Sequence, residues 1–98
     1  MNMSTVEAID PQERLENAQH DLALAKRAWS GRSVEDVERD LEAARARERS
    51  AIASGIYADQ VKAQLARFDL QKERTRALAV KACEAELEEA SKAPGVLL

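Results

Sequence analysis

The pattern of apolar positions is most regular between Tyr57 and Lys92, where it predicts one long helix. This stretch contains no Pro, Gly or Asn, and nearly all of its residues are good helix formers. At 1.5 Å per residue the helix would be about 54 Å long, well beyond the usual length of a helix in a compact domain. The rest of the chain is therefore expected to pack against it.

Two apolar seams follow this predicted helix in steps of three and four residues, so each seam keeps to one side. The first seam, interrupted by Lys72, consists of Val61, Leu65, Phe68, Thr75, Ala79 and Ala82. The second seam, interrupted by Glu73 and Glu84, consists of Ala63, Ala66, Leu70, Ala77, Val80 and Leu87. A helix with two seams contacts partners on two sides. Either both partners belong to this chain, or one seam is left for another molecule.

Two shorter helices are predicted upstream. Asp10 and Pro11 form a typical helix start. A heptad seam follows, consisting of Leu15, Ala18, Leu22, Ala25 and Trp29. After Ser30-Gly31, Ser33 is a suitable cap for the next helix. One face of that helix holds Val34, Val37, Leu41, Ala44, Glu48 and Ile52.

The predicted fold class is all-α, an antiparallel helical hairpin or a three-helix coiled-coil-like bundle with one long C-terminal helix. One domain is expected, with helices over about 10–30, 33–54 and 56–92, ended by Ser54-Gly55 and Pro94-Gly95. Residues 1–9 are expected to be a flexible arm, and residues 94–98 a short apolar tail.

The course of the chain at Gly31 has two solutions. If the chain turns there, a three-helix bundle results, and the long helix extends beyond its neighbours over about residues 78–92. If the helix continues through Gly31, residues 11–54 form one kinked rod in a two-helix hairpin, with Lys26 and Arg27 near Glu84–Glu89. In both solutions the acidic residues 35–42 face the basic residues 69–76.

Composition indicates a core with little area to bury. Apolar residues make up 45% of the 98 residues, but aromatic ones only 3%, and alanine fills many core positions. Burial is driven by apolar area, so self-association would add stability that the single chain lacks.

The charge balance and the single cysteine restrict the partners and the compartment. The net charge of −3 disfavours general nucleic-acid or membrane-surface binding. We expect no membrane span and no secretory signal in the first ten residues. Cys83 has no internal disulfide partner, which fits the cytoplasm or the inside of a particle assembled there.

Candidate chemistry is sparse. His20 is the only histidine, and no second ligand stands at metal-binding spacing. Cys83 is interpreted as a small packing residue. We expect no catalytic, metal or cofactor-binding residue and no small-molecule substrate. The arginines Arg45, Arg47 and Arg49 alternate and therefore spread around a helix, which makes them a poor nucleic-acid site.

The sequence favours a non-enzymatic interaction or assembly module that acts through helix–helix packing and associates with itself, as a homodimer or a higher oligomer. The residues predicted to bind a partner, because the bundle leaves them uncovered, are Leu78, Val80, Leu87, Val96, Leu97 and Leu98.

The alternative is a small acidic inhibitor or adaptor, of bacterial, plasmid or phage origin, that occupies a basic site on a larger machine. Its acidic face would consist of Glu35, Asp36, Glu38, Asp40, Glu42, Glu84, Glu86, Glu88 and Glu89. Nucleic-acid binding is the least favoured function.

Overall fold

The computed structural model describes residues 10–96, which contain three helices and no strand. They are α1 (Pro11–Ala28), α2 (Val34–Ser54) and α3 (Tyr57–Lys92). The all-α fold class with a long C-terminal helix is thereby confirmed. The predicted arm 1–9, together with Leu97 and Leu98 of the predicted tail, lies outside the described residues.

Side-chain caps begin the first two helices where the sequence predicts them. The Asp10 carboxylate accepts a hydrogen bond from the backbone N–H of Gln12 at 2.9 Å. The Ser33 hydroxyl accepts one from the backbone N–H of Asp36 at 3.1 Å. Each cap satisfies a donor that the first turn of a helix leaves without an intrahelical acceptor.

Gly55 makes the tight turn from α2 to α3. Its φ of 73° lies in the left-handed region, and its N–H donates to the Ile52 carbonyl at 3.2 Å. A side chain at this position would be strained by the backbone alone. The turn lets α3 return antiparallel to α2.

The chain divides into two compact units. Within the described residues, the terminal unit comprises residues 10–28 and 79–96, so it holds α1 and the C-terminal part of α3. The hairpin unit comprises residues 29–78, which include the linker 29–33, α2 and the N-terminal part of α3.

In the terminal unit, Leu15 and Ala18 of α1 form a buried cluster with Ala90 of α3. Leu87 and Val96 pack against this cluster. The ion pair between the Arg14 guanidinium and the Glu86 carboxylate joins the same two helices. The apolar side of α1 is thus covered by the C-terminal part of the long helix.

In the hairpin unit, the core lies at the end remote from the turn. Its buried side chains are Val34, Val37, Leu41 and Ala44 on α2 and Ala77 on α3. Arg74 Nε donates to the Glu38 carboxylate at 3.0 Å. This contact confirms that the acidic residues 35–42 of α2 face the basic residues 69–76 of α3.

Neither predicted course of the chain at Gly31 is correct in full. Residues 29–33 are not helical, so no continuous rod runs through Gly31, which has a φ of 89°. Yet residues 78–92 are not an uncovered overhang, since α1 packs on them within the terminal unit. Glu86 pairs with Arg14, about three helical turns before the expected Lys26.

Candidate interaction surface

The two seams of α3 differ sharply in exposure. In the first seam, Leu65 is 58% exposed and Phe68 is 40% exposed. Val61 is half-buried, and the remaining members, Thr75, Ala79 and Ala82, are exposed. The chain itself therefore leaves the first seam largely uncovered.

The second seam is the one that the chain covers. Ala77 and Val80 are buried, Ala63, Leu70 and Leu87 are half-buried, and only Ala66 of this seam is exposed. Between Ala63 and Leu70, Arg67 Nε donates to the Glu48 carboxylate of α2 at 2.5 Å. Because α2 takes this side of α3, the first seam faces solvent.

The first seam adjoins further exposed apolar residues at the turn between α2 and α3. Ile52, Ile56 and Tyr57 are each more than half exposed. None of residues 45–76 is buried. The turn end of the hairpin therefore presents apolar side chains on both helices, which is uncommon for a surface that stays in water.

The guanidinium group of Arg67 lies over the ring of Phe68. The guanidinium carbon of Arg67 lies 4.7 Å from the centroid of the Phe68 ring. This distance is within the range of a cation–π contact. The arginine fixes one side of the ring, and 40% of the residue remains accessible.

The open cleft between α2 and α3 near the turn has a volume of 310 Å³. It is lined by Arg47, Ala51, Asp59, Lys62, Ala63 and Ala66. The space stays open because the side chains of Ala51, Ala63 and Ala66 are small. The lining has two basic residues and one acidic residue near apolar methyl groups, and it lacks the converging polar groups of a ligand site.

The residues predicted to bind a partner are placed differently from the expectation. Leu78 is 37% exposed, as an uncovered residue should be. Val80, however, is only 2% exposed, and Leu87 and Val96 pack on the core cluster of the terminal unit. The premise that these three are uncovered is wrong, because Val80 is buried and because Leu87 and Val96 pack against a cluster that includes Leu15 and Ala18 of α1. Leu97 and Leu98 lie outside the described residues.

Most of the predicted acidic face is neutralised by the chain's own cations. On α2, Asp36 pairs with Arg39 at 3.4 Å and Glu42 with Arg45 at 3.7 Å. Glu38 pairs with Arg74, and Asp40 pairs with Arg32. In the terminal unit, Glu86 pairs with Arg14 and Glu88 with Lys92. The other predicted members, Glu35, Glu84 and Glu89, are exposed.

Two of these pairs shift a basic pKa. The hydrogen bond to Asp40 raises the pKa of Arg32, and the hydrogen bond to Glu88 raises the pKa of Lys92. Both groups carry their charge near neutral pH without this help. The shifts therefore reflect ion pairing on the surface.

Glu73 holds the linker between α1 and α2. Its carboxylate accepts a hydrogen bond from the Ser30 hydroxyl at 2.7 Å and a second from the Arg32 guanidinium at 3.3 Å. The Trp29 indole N–H donates to the Arg32 carbonyl at 2.9 Å. From sequence, Glu73 is only an interruption of the second seam. Its role depends on which residues the fold brings opposite it.

His20, Cys83 and the arginines of α2 are not grouped into one site within residues 10–96. His20 is exposed, and Cys83 is half-buried beside a shallow cleft that includes Asp21 and Glu86. Over the described range, no three His, Cys, Asp or Glu side chains are grouped as metal ligands. Arg45 and Arg49 both approach Glu42, so the arginine cluster of α2 is partly neutralised.

No helix within residues 10–96 contains an apolar stretch long enough to cross a bilayer. Comparison of the chain with known protein families, with curated proteins and with solved structures finds no match. The candidate surface is therefore interpreted from this chain's own residues.

Proposed function

We propose that this protein is a non-enzymatic assembly module that associates with itself by helix–helix packing through the first seam of α3. The observation that carries the proposal is the exposure of Leu65 and Phe68 on a helix whose opposite side already contacts α2. Burial of such side chains contributes about 25 cal/mol per Å² of apolar area, and the single chain forgoes this gain.

The weak packing of the turn end supports the same proposal. Exposed apolar residues of this size, when they cluster on one surface, are typical of a protein–protein contact. Helix-on-helix recognition uses anchors at spacings of three, four and seven residues, which is the spacing of Val61, Leu65 and Phe68. A cytoplasmic setting, or the inside of a particle assembled there, fits the single free cysteine.

The alternative of an acidic inhibitor or adaptor has less support. Its binding energy would come from carboxylates that attract a basic site. At least six of the nine predicted carboxylates pair with arginine or lysine of this chain. A basic partner would first have to displace those cations. For nucleic acid, the pairing of Arg45 and Arg49 with Glu42 reduces the positive potential that phosphate binding requires.

The test is the molar mass of the protein in solution, measured by light scattering after size exclusion. The wild-type mass should rise with concentration from 10.8 kDa towards at least twice that value, and the rise should survive high salt. Leu65→Glu should keep the protein monomeric because it places a charge in the apolar contact. Ala43→Glu, an exposed site on the outer side of α2, is the matched control and should behave as wild type.

A wild-type protein that stays monomeric at every concentration and salt would contradict the proposal. Circular dichroism of each variant shows that the helices are retained. Leu65 is largely exposed, so its substitution should leave the helical signal unchanged.

A further inference from the structure

The charges that flank the first seam repeat with the seam itself. Lys62 and Asp69 each follow a seam residue, Val61 and Phe68, and stand seven residues apart on the same flank. Both are exposed, and neither belongs to an ion pair among residues 10–96. Lys62 and Asp69 thus lie beside the uncovered apolar residues with no ion-pair partner among residues 10–96.

We infer that two copies of this chain pair antiparallel through the first seam, about a two-fold axis that passes between Leu65 and Phe68. This inference rests on the self-association proposed above. The two-fold axis makes each contact occur twice, with residue i on j and j on i. Leu65 then packs on the partner's Phe68, and Lys62 faces the partner's Asp69.

The opposite flank distinguishes antiparallel from parallel pairing. Gln64 and Gln71 precede the seam residues Leu65 and Lys72, and Tyr57 and Leu78 occupy the same flank one heptad further out. In a parallel pair the flank of Lys62, Asp69 and Arg76 meets this uncharged flank, so the opposite charges of Lys62 and Asp69 find no complement. In the antiparallel pair each flank faces the same flank of the partner copy. Lys62 then meets Asp69, and glutamine meets glutamine.

Lys72, the interruption of the first seam, fits the same arrangement. In the antiparallel pair Lys72 lies opposite the partner's Val61. The aliphatic part of the lysine side chain can cover the valine while its ammonium group reaches water. A single lysine in a seam is a known means of fixing register at a cost in stability. The interruption therefore helps to select this pairing over slipped ones.

Charge reversal with mixing tests the inference. Lys62→Glu alone places a glutamate against the partner's Asp69. Asp69→Lys alone places a lysine against the partner's Lys62. By symmetry, each like-charge contact occurs twice in the homodimer. Each variant should dimerise about ten-fold more weakly than wild type. The double variant Lys62→Glu/Asp69→Lys should recover dimerisation. An equimolar mixture of the two single variants should also recover it, because both contacts are then opposite in charge.

Controls separate this inference from the proposed function. Lys26→Glu, on the exposed side of α1, changes the net charge by the same amount as Lys62→Glu and should leave dimerisation unchanged. If wild type dimerises and Leu65→Glu prevents it, but neither the double variant nor the mixture recovers association, antiparallel pairing is overturned while self-association stands. If wild type dimerises regardless of Leu65, the first seam is overturned as the contact. If wild type never dimerises, the proposed function fails and this inference fails with it.

Discussion

The two ends of the hairpin unit are built on the same helical periodicity, yet only one is packed. At the base end, Val37 and Leu41 of α2 are buried. At the turn end, Ile52 lies on the same face of the same helix and is 58% exposed. The helical spacing of this face of α2 continues to Ile52, with Glu48 as its one polar member, so the difference also depends on what α3 places opposite each residue.

Opposite the base end, α3 offers the buried Ala77, whose small side chain allows close approach. Near the turn, α3 faces α2 with Ala63 and with Arg67, which binds Glu48. Its larger apolar residues, Leu65 and Phe68, lie on the other side of the helix. The comparison shows that an apolar stripe becomes a core only where the facing helix supplies apolar volume in phase.

The largest effect should separate the two ends directly. Leu41→Ala removes a buried side chain and should lower the free energy of unfolding by about 3 kcal/mol, measured by urea denaturation. The matched change Ile52→Ala at the turn end should cost less than about 0.5 kcal/mol because that side chain is already in water. Equal losses would show that the turn end is packed after all.

The same comparison explains how far the sequence predicts this fold. The periodicity, Asp10 and Ser33 as caps and Gly55 as the turn residue are local signals, and they place the three helices closely. The partner of α1 is not a local property. The contacts of the linker 29–33 are not local either, because the hydrogen bonds of Glu73 to Ser30 and Arg32 join residues more than 40 positions apart.

For the candidate surface, the sequence identifies both seams but not which one stays open. Helix lengths alone predict that residues near the C-terminus, including Val80 and Leu87, stay uncovered and bind a partner. Lengths do not reveal that Val80 is buried or that Leu87 packs against a cluster that includes residues of α1. Arg67 lies on the same side of α3 as Ala63 and Leu70 of the second seam. Its ion pair with Glu48 of α2 indicates that this side of α3 is the covered one.

Glu73→Ala should have the next largest effect. It removes the acceptor of the Ser30 hydroxyl and an ionic partner of Arg32, at a cost of about 1.5 kcal/mol in the free energy of unfolding. Glu73→Gln keeps an oxygen that can accept from Ser30 and should lose less. Urea denaturation ranks the two variants. Identical losses would indicate that the hydrogen bond from Ser30 contributes nothing.

Gly55→Ala tests the turn between α2 and α3 at the open end of the hairpin. No atom lies within 4 Å of the added Cβ, so the cost comes from the left-handed backbone and should be about 1 kcal/mol. Gly55→Asn should cost less, since asparagine tolerates this conformation better. Thermal unfolding measures both, and an unchanged transition for the alanine variant would mean that the turn relaxes to another geometry.

The smallest effect concerns the contact that holds the turn end together in place of a core. In a double-mutant cycle of Arg67→Met and Glu48→Gln, the coupling free energy should be about 0.5 kcal/mol, because both side chains remain about one-fifth exposed. The coupling should fall as salt is raised, since an ion pair near the surface is screened. Leu41→Ala, by contrast, should cost the same at both salt concentrations. A coupling that is large and independent of salt would mean that Arg67 and Glu48 are desolvated in solution. That result would place the contact between Arg67 and Glu48 with the packed part of the hairpin, although Ile52 and Leu65 would remain exposed.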